Sequence, residues 1–382
     1  MQRFAPYLGI LAAVLLYIFI VAFSGVVTVV RAPVSNTPVA SSTLSVEPGF
    51  TLPTITLPSL EPAANTPTST TAVPKKIVPP AKKPAPVPAT TPAPVPVVAP
   101  APITPSGSVA LDAAASALRG ALVNIICYVP LGSGLHSISG SGIFIDSKGI
   151  ILTNAHVAQY FLLADRGTSC TIRAGSPARD GYEAKLIFIS PAWLKANATV
   201  LTQTLPSGTG EYDFALLAVS SSATSLALPP SFPSLPLASV PPQAGTPVVI
   251  ATYGAQFLDP GQIQSGLSPT VVFGSVKDVF TFGTNTIDVL ALGGSAAAQE
   301  GSSGGGVADA SGSLVGTITT STVSGDTSTR SLDAITASYI RAEYANETGQ
   351  ALDLLLAKPT SAAIAAFASQ LPALEAILTA NL

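Results

Sequence analysis

The prolines decide where this chain can fold. Residues 32–106 hold 19 of its 35 prolines. Each proline removes a backbone donor and fixes φ, so no helix or sheet of any length can form there. The only charges in the stretch are Glu47, Glu61 and two lysine pairs, Lys75–Lys76 and Lys82–Lys83. The segment is predicted to be a disordered, polyproline-like spacer with flexible Ser/Thr stretches, reaching at most about 230 Å. A packed core must therefore come from residues 107–382.

Ahead of the spacer, Phe4 to Val30 carries no charge. Its apolar part, Tyr7 to Val30, would make a helix of about 36 Å, enough to cross a bilayer with some tilt. Ala22-Phe23-Ser24 before Gly25 would suit a signal-peptide cleavage site, but the apolar run continues past it. The expectation is an uncleaved anchor over 1–31, with a single pass and the rest of the chain outside the cytoplasm. Arg3 and Arg31 flank the run on opposite sides, so the positive-inside signal is weak.

The net charge of −3 leaves no basic field for nucleic acid. Two cysteines are too few for a disulfide scaffold or a zinc site. Charged residues are 10% and mean hydropathy is +0.51. The anchor and the spacer account for part of that apolar balance.

From residue 107 the pattern changes. Leu111, Ala115, Leu118 and Leu122 recur at helical spacing. Six short β-type runs follow, at Val123–Val129, Gly142–Asp146, Ile150–Thr153, Cys170–Ala174, Ala184–Ile189 and Phe214–Val219. After a proline-rich connector, Pro229 to Pro247, come Val248–Tyr253, Thr270–Phe273, Ile287–Leu292, Leu314–Thr319 and Leu332–Ile335. Two groups of about six short strands predict two small barrels or sandwiches, an all-β fold. The alanine-rich tail reads as two helices, near Ala337–Leu356 and Ser361–Leu378.

One glycine-rich turn stands out, Gly301-Ser-Ser-Gly-Gly305. Composition alone would also allow a flexible linker. Between two apolar runs, however, such a turn can present Ser303 while its backbone N–H groups converge on one point. Of two histidines, His156 ends the apolar run from Ile150, whereas His136 lies in a Gly/Ser loop and reads as a surface residue. Asp213 opens the run Asp213–Val219; Asp165 and Asp180 sit in polar loops, and Asp146 in a turn. A base needs an acid to fix its tautomer. The order His156, Asp213, Ser303 is the chymotrypsin-like one, not that of α/β-hydrolases or subtilisins.

These residues carry a resemblance. Gly140-Ser-Gly142-Ile-Phe-Ile-Asp146, Ile151-Leu-Thr-Asn-Ala-His-Val157, Asp213-Phe-Ala-Leu-Leu217 and Gly301-Ser-Ser-Gly-Gly305 resemble the motifs of trypsin-like serine proteases of the Deg/HtrA branch, over about residues 118–340. The resemblance implies a double six-stranded β-barrel at 107–340, with the site between the barrels and a helical tail at 341–382. Ser303 would be the nucleophile, His156 the general base and Asp213 the orienting acid. The N–H groups of Gly301 and Ser303 would form the oxyanion hole. Ala297, Ala298 and Gln299 would line the substrate pocket, with Leu332 on the opposite wall. The first and fourth strands pair in that topology, so Cys127 and Cys170 could meet in a disulfide; two buried free thiols are the alternative.

Two departures from the family are visible. Ser302 stands where the branch has Asn and the digestive enzymes an Asp that pairs with a newly cut N-terminus. The stretch after Ile335 is expected to be too short for the PDZ domain common in the branch. The expected function is a membrane-anchored serine endopeptidase acting on protein or peptide, without cofactor or metal and without nucleic acid. Its oligomeric state is open. The alternatives are a catalytically idle binding module of the same fold and an exported hydrolase of another acyl bond.

Overall fold

The computed structural model describes residues 107–203, 208–283, 285–380 and 382. The expected anchor at 1–31 and the spacer at 32–106 lie outside the described residues.

Helix α1 (Gly107–Ala121) opens the fold. Its buried residues Ala114, Leu118 and Ala121 repeat at helical spacing and make one apolar stripe. Six strands then close a barrel: β1 (Leu122–Tyr128), β2 (Ile138–Asp146), β3 (Ile150–Thr153), β4 (Ser169–Gly175), β5 (Ala178–Ile189) and β6 (Ala215–Ser222). The order around the barrel is β1-β2-β3-β6-β5-β4. β3 is buried at all four positions and β6 at its first five, as strands walled on both faces must be. The β1–β4 register sets Cys127 opposite Cys170, and a disulfide joins them with Cα atoms 4.0 Å apart. Between β5 and β6 lies helix α3 (Pro191–Asn197), capped by the Ser190 side chain; the one-turn α2 (Ala155–Ala158) follows β3.

The second sheet has seven strands rather than the expected six. They are β7 (Pro247–Thr252), β8 (Thr270–Ser275), β9 (Asp278–Phe280), β10 (Val289–Ala291), β11 (Gly306–Asp309), β12 (Leu314–Ser321) and β13 (Leu332–Thr336). Their order is β8-β7-β11-β12-β13-β10-β9. The two edges, β8 and β9, are consecutive in the chain, with only Val276 and Lys277 between them. Val276 N donates to Thr246 O beside β7, and Lys277 N donates to Ala291 O on β10. One bent strand thus pairs with one end of the sheet and then with the other, so the extra strand comes from a bend in the second strand of the series. Helix α4 (Pro260–Gly266), with an Asp259/Gln262 capping box, lies between β7 and β8.

The tail forms four helices where two were expected: α5 (Ala337–Thr348), α6 (Leu352–Leu356), α7 (Thr360–Ala368) and α8 (Leu371–Thr379). Gly349 ends α5 in a left-handed cap, and the chain turns again at Ser369. The expected boundary at 340 therefore falls inside α5. The tail is part of the first barrel's core: α7 packs on β5 and β6, α8 on α3, and Phe188 lies between Phe214 and Tyr344. Among the described residues no single helix is long and apolar enough to cross a membrane. The bent pair α7–α8 reaches the length and apolarity only when taken together.

Leu118 of α1, Ile143 of β2 and Leu314 of β12 converge on Gly306 of β11. A Cβ there would lie 2.8–2.9 Å from all three. The helix is wedged at the seam of the two sheets, and any larger residue at 306 would have to push back the ends of all three side chains.

Candidate active site

His156 lies in the helical turn α2, just past the end of β3 where the sequence pattern had set it. Asn154 stands at the N-cap in extended conformation but does not cap with its side chain. Its Nδ2 donates instead to Asp213 O at 2.9 Å. Asp213 precedes β6 by two residues rather than opening it. A tight bend holds it there, with Phe214 N bonded to Tyr212 O and Tyr212 at φ 56°. The Tyr339 hydroxyl accepts the Tyr212 N–H at 3.0 Å and steadies this uncommon conformation.

The carboxylate of Asp213 is buried, 4% exposed, and fully engaged. Its Oδ1 accepts the His156 backbone N–H at 2.9 Å. Its Oδ2 takes His156 Nδ1 at 2.7 Å and the Thr319 hydroxyl at 2.7 Å. An ionised carboxylate only accepts, so Nδ1 of neutral His156 carries the proton and Nε2 is left as the base. Burial works against the imidazolium. The charge and hydrogen bond of Asp213 together outweigh it and raise the His156 pKa above the ordinary 6.5.

Ser303 lies in the turn between β10 and β11. Ser141 of β2 pins this turn to the first barrel on both sides: its N–H donates to Ser303 O at 2.7 Å, and its hydroxyl donates to Gly301 O at 2.8 Å. That hydroxyl also accepts Tyr253 N at 2.9 Å. A Cβ at Gly140 would touch both Val157, next to His156, and Ser303 O. The turn and the histidine are therefore neighbours across one glycine. Ser303 Oγ makes no hydrogen bond among the described residues.

The backbone of the turn is shaped by two left-handed glycines, Gly301 at φ 89° and Gly304 at φ 85°. Ala255 N holds Glu300 O at 2.8 Å. In a trans peptide the N–H points opposite to the carbonyl, so Gly301 N–H is turned away from that anchor. Neither Gly301 N nor Ser303 N donates to any described residue. Both expected oxyanion donors are thus available.

Ala297, Ala298 and Leu332 come together in the apolar core of the second sheet, and none is exposed. Gln299 is partly exposed, with its Nε2 donating to Ala296 O. Leu332 and Ala334 share the inward face of β13, which sets Asp333 on the opposite one. Ser302 is buried and bonds Thr252 Oγ1 at 3.2 Å. His136 is exposed, and its backbone carbonyl accepts the Tyr160 hydroxyl at 2.9 Å. Among the described residues no three His, Cys, Asp or Glu side chains gather as metal ligands would.

Sequence reasoning missed Ser141, Asn154 and Thr319. Ser141 and Asn154 sit inside motifs already singled out, so local pattern could have found them. Thr319 is 106 residues from Asp213, and nothing local marks it.

Residues 140–316 match the model of the trypsin-like peptidase domain. Those residues are similar to a trypsin-like peptidase domain, which supports a serine endopeptidase. Among solved structures it is similar to the active form of the Rv3671c protease from M. tuberculosis. Identity is 20% and the TM-score 0.39, over 66% of this chain and 94% of that one. It is also similar to an inactive form of the same protease, at 20% identity and TM-score 0.40, over 64% and 98%. A serine-to-alanine mutant of Rv3671c from M. tuberculosis H37Rv, also inactive, gives 19% and 0.40, over 65% and 96%. No curated protein matches the chain.

Proposed function

We propose that the chain is a membrane-tethered, extracytoplasmic endopeptidase that works through Ser303, His156 and Asp213. The observation that carries the triad is the His156–Asp213 hydrogen bond beside a serine turn clamped by Ser141. The tether rests on the charge-free run Phe4–Val30 and the proline-rich spacer after it.

In this reading Ser303 Oγ attacks the scissile carbonyl carbon and passes its proton to His156 Nε2. The carbonyl oxygen becomes an oxyanion and takes hydrogen bonds from Gly301 N and Ser303 N. Collapse breaks the C–N bond, and His156 hands its proton to the leaving amine. Water, deprotonated by His156, then releases the acyl group from Ser303. Asp213 keeps Nδ1 protonated and stabilises the imidazolium.

A fluorophosphonate probe should modify Ser303, identified by peptide mapping. Ser303→Ala and His156→Ala should each lower kcat on a casein-type substrate by several orders of magnitude, since triad members act as a unit. Ser302→Ala should label normally. Labelling at Ser303 without hydrolysis of any peptide would favour another acyl bond, and absence of labelling an idle binding module. The protein should label without cleavage near its N-terminus, because Ser302 is an uncharged, satisfied residue that needs no new amine.

A further inference from the structure

Arg330, between β12 and β13, is buried at 5% exposure although its guanidinium stays charged. Every hydrogen bond it makes among the described residues ends on an uncharged oxygen. Nη1 donates to Gln256 Oε1 at 2.6 Å and to Ala298 O at 2.7 Å. Nε and Nη2 donate to Gly325 O at 3.1 and 2.8 Å. Gln256 Nε2 continues the chain to Val323 O at 2.9 Å, and the Phe257 ring lies 5.7 Å from the guanidinium.

Burying a cation is costly, and an apolar side chain would fill the volume with less penalty. What only a guanidinium supplies is a rigid fork of donors. This fork joins three segments: the loop after β7, the loop from 322 to 331, and the turn that leads into Ser303. It grips that turn from two sides. One hold is direct, at Ala298 O. The other runs through Gln256, whose neighbour Ala255 holds Glu300 O. Glu300 O is the carbonyl whose direction aims Gly301 N–H.

We propose that Arg330 is a positioning residue for peptide hydrolysis, setting the turn 297–301 so that Gly301 N–H meets the oxyanion. This rests on the endopeptidase reading of Ser303 and His156. Arg330 touches neither substrate nor reacting atoms. It acts through Ala298 and through Gln256 and Ala255.

The test compares Arg330→Met, Arg330→Lys and Gln256→Leu in the full chain. It reads kcat and KM on a peptide substrate, and the affinity for a peptide boronate and for the same peptide without the boronate. Arg330→Met should lower kcat about 10- to 100-fold with little change in KM, the scale expected for misplaced catalytic groups. Boronate affinity should fall in step, while the plain peptide binds as before. Arg330→Lys should recover part of the loss, and Gln256→Leu should show a smaller loss of the same kind. Unchanged kcat, or equal weakening of both ligands, would overturn the proposal. Should Arg330→Met not fold, Gln256→Leu decides, and wild-type kcat there overturns it. A wild-type protein that neither hydrolyses peptide nor labels at Ser303 would overturn the endopeptidase reading instead.

Discussion

The Thr319 hydroxyl donates to Asp213 Oδ2 at 2.7 Å, the same oxygen that receives His156 Nδ1. Thr319 belongs to β12 of the second sheet, while Asp213 and His156 belong to the first barrel. The bond therefore crosses between the two halves at the proposed site. Thr319→Val keeps the shape and removes the donor from a buried carboxylate, at about 1.5–3 kcal/mol. Thr319→Ser should stay close to wild type. Denaturant unfolding and kcat/KM measured on both variants check this, and a Thr319→Val protein as stable and active as Thr319→Ser would refute it.

The acid limb of activity should be displaced upward. The His156 pKa is raised above 6.5, so the ring stays protonated, and idle as a base, to a higher pH than an isolated histidine would. The kcat/KM profile should fall as pH drops through a midpoint above 6.5. In Asp213→Asn, burial acts without the opposing charge, so the midpoint should move below 6.5, and kcat should drop by about 10⁴ as in the serine-protease template. For stability the sign is opposite. A raised folded pKa favours the fold below 6.5, and that contribution is lost as pH rises through the folded value. A pH–rate series with both proteins decides the matter, and a wild-type midpoint at or below 6.5 would contradict it.

Two left-handed glycines should respond differently to alanine. At Gly304 a Cβ would overlap Ser141 O and Thr153 Oγ1, so Gly304→Ala must displace the serine turn. At Gly312, with φ 78°, a Cβ meets nothing within 4 Å. Gly312→Ala should cost about 1–2 kcal/mol of backbone strain and leave probe labelling intact. Gly304→Ala should destabilise by more than that and abolish labelling at Ser303. Equal melting temperatures for the two would count against the packed turn.

Cleavage is expected after Ala, Val or a similar small aliphatic residue. The resemblance makes Ala297, Ala298 and Leu332 the apolar lining of the pocket; all three pack in the core of the second sheet, so they would back its wall rather than lie open in it. Asp333 lies on the other face of β13 from Leu332, so a pocket walled by Leu332 would hold no acid for a basic side chain. Each CH₂ buried there is worth about 0.8 kcal/mol until the space is filled. A peptide-library profile dominated by Arg, Lys or Phe before the cut would show the wall to be built otherwise.

The sequence was most legible where strands are short, apolar and punctuated. β3 and β7 fall within a residue of their expected bounds, because both are buried runs between turn residues. β11 escaped notice because Gly306 opens it and only four residues form it. The first half of β5, Ala178 to Glu183, reads as polar because much of it faces solvent. At the site, His156, Asp213 and Ser303 are visible from order and local pattern. Thr319 and Arg330 are not, because their contacts join residues far apart in the chain and have no periodicity to betray them.

Helix α1 meets both sheets through Leu118 at Gly306. That contact fixes where the enzyme begins. A chain shortened to start at Leu122 would keep all thirteen strands yet leave a groove between them where Leu118 had been. The loss would fall three residues from Ser303, beneath the turn that presents it. The smallest working version of this domain should therefore start no later than the helix.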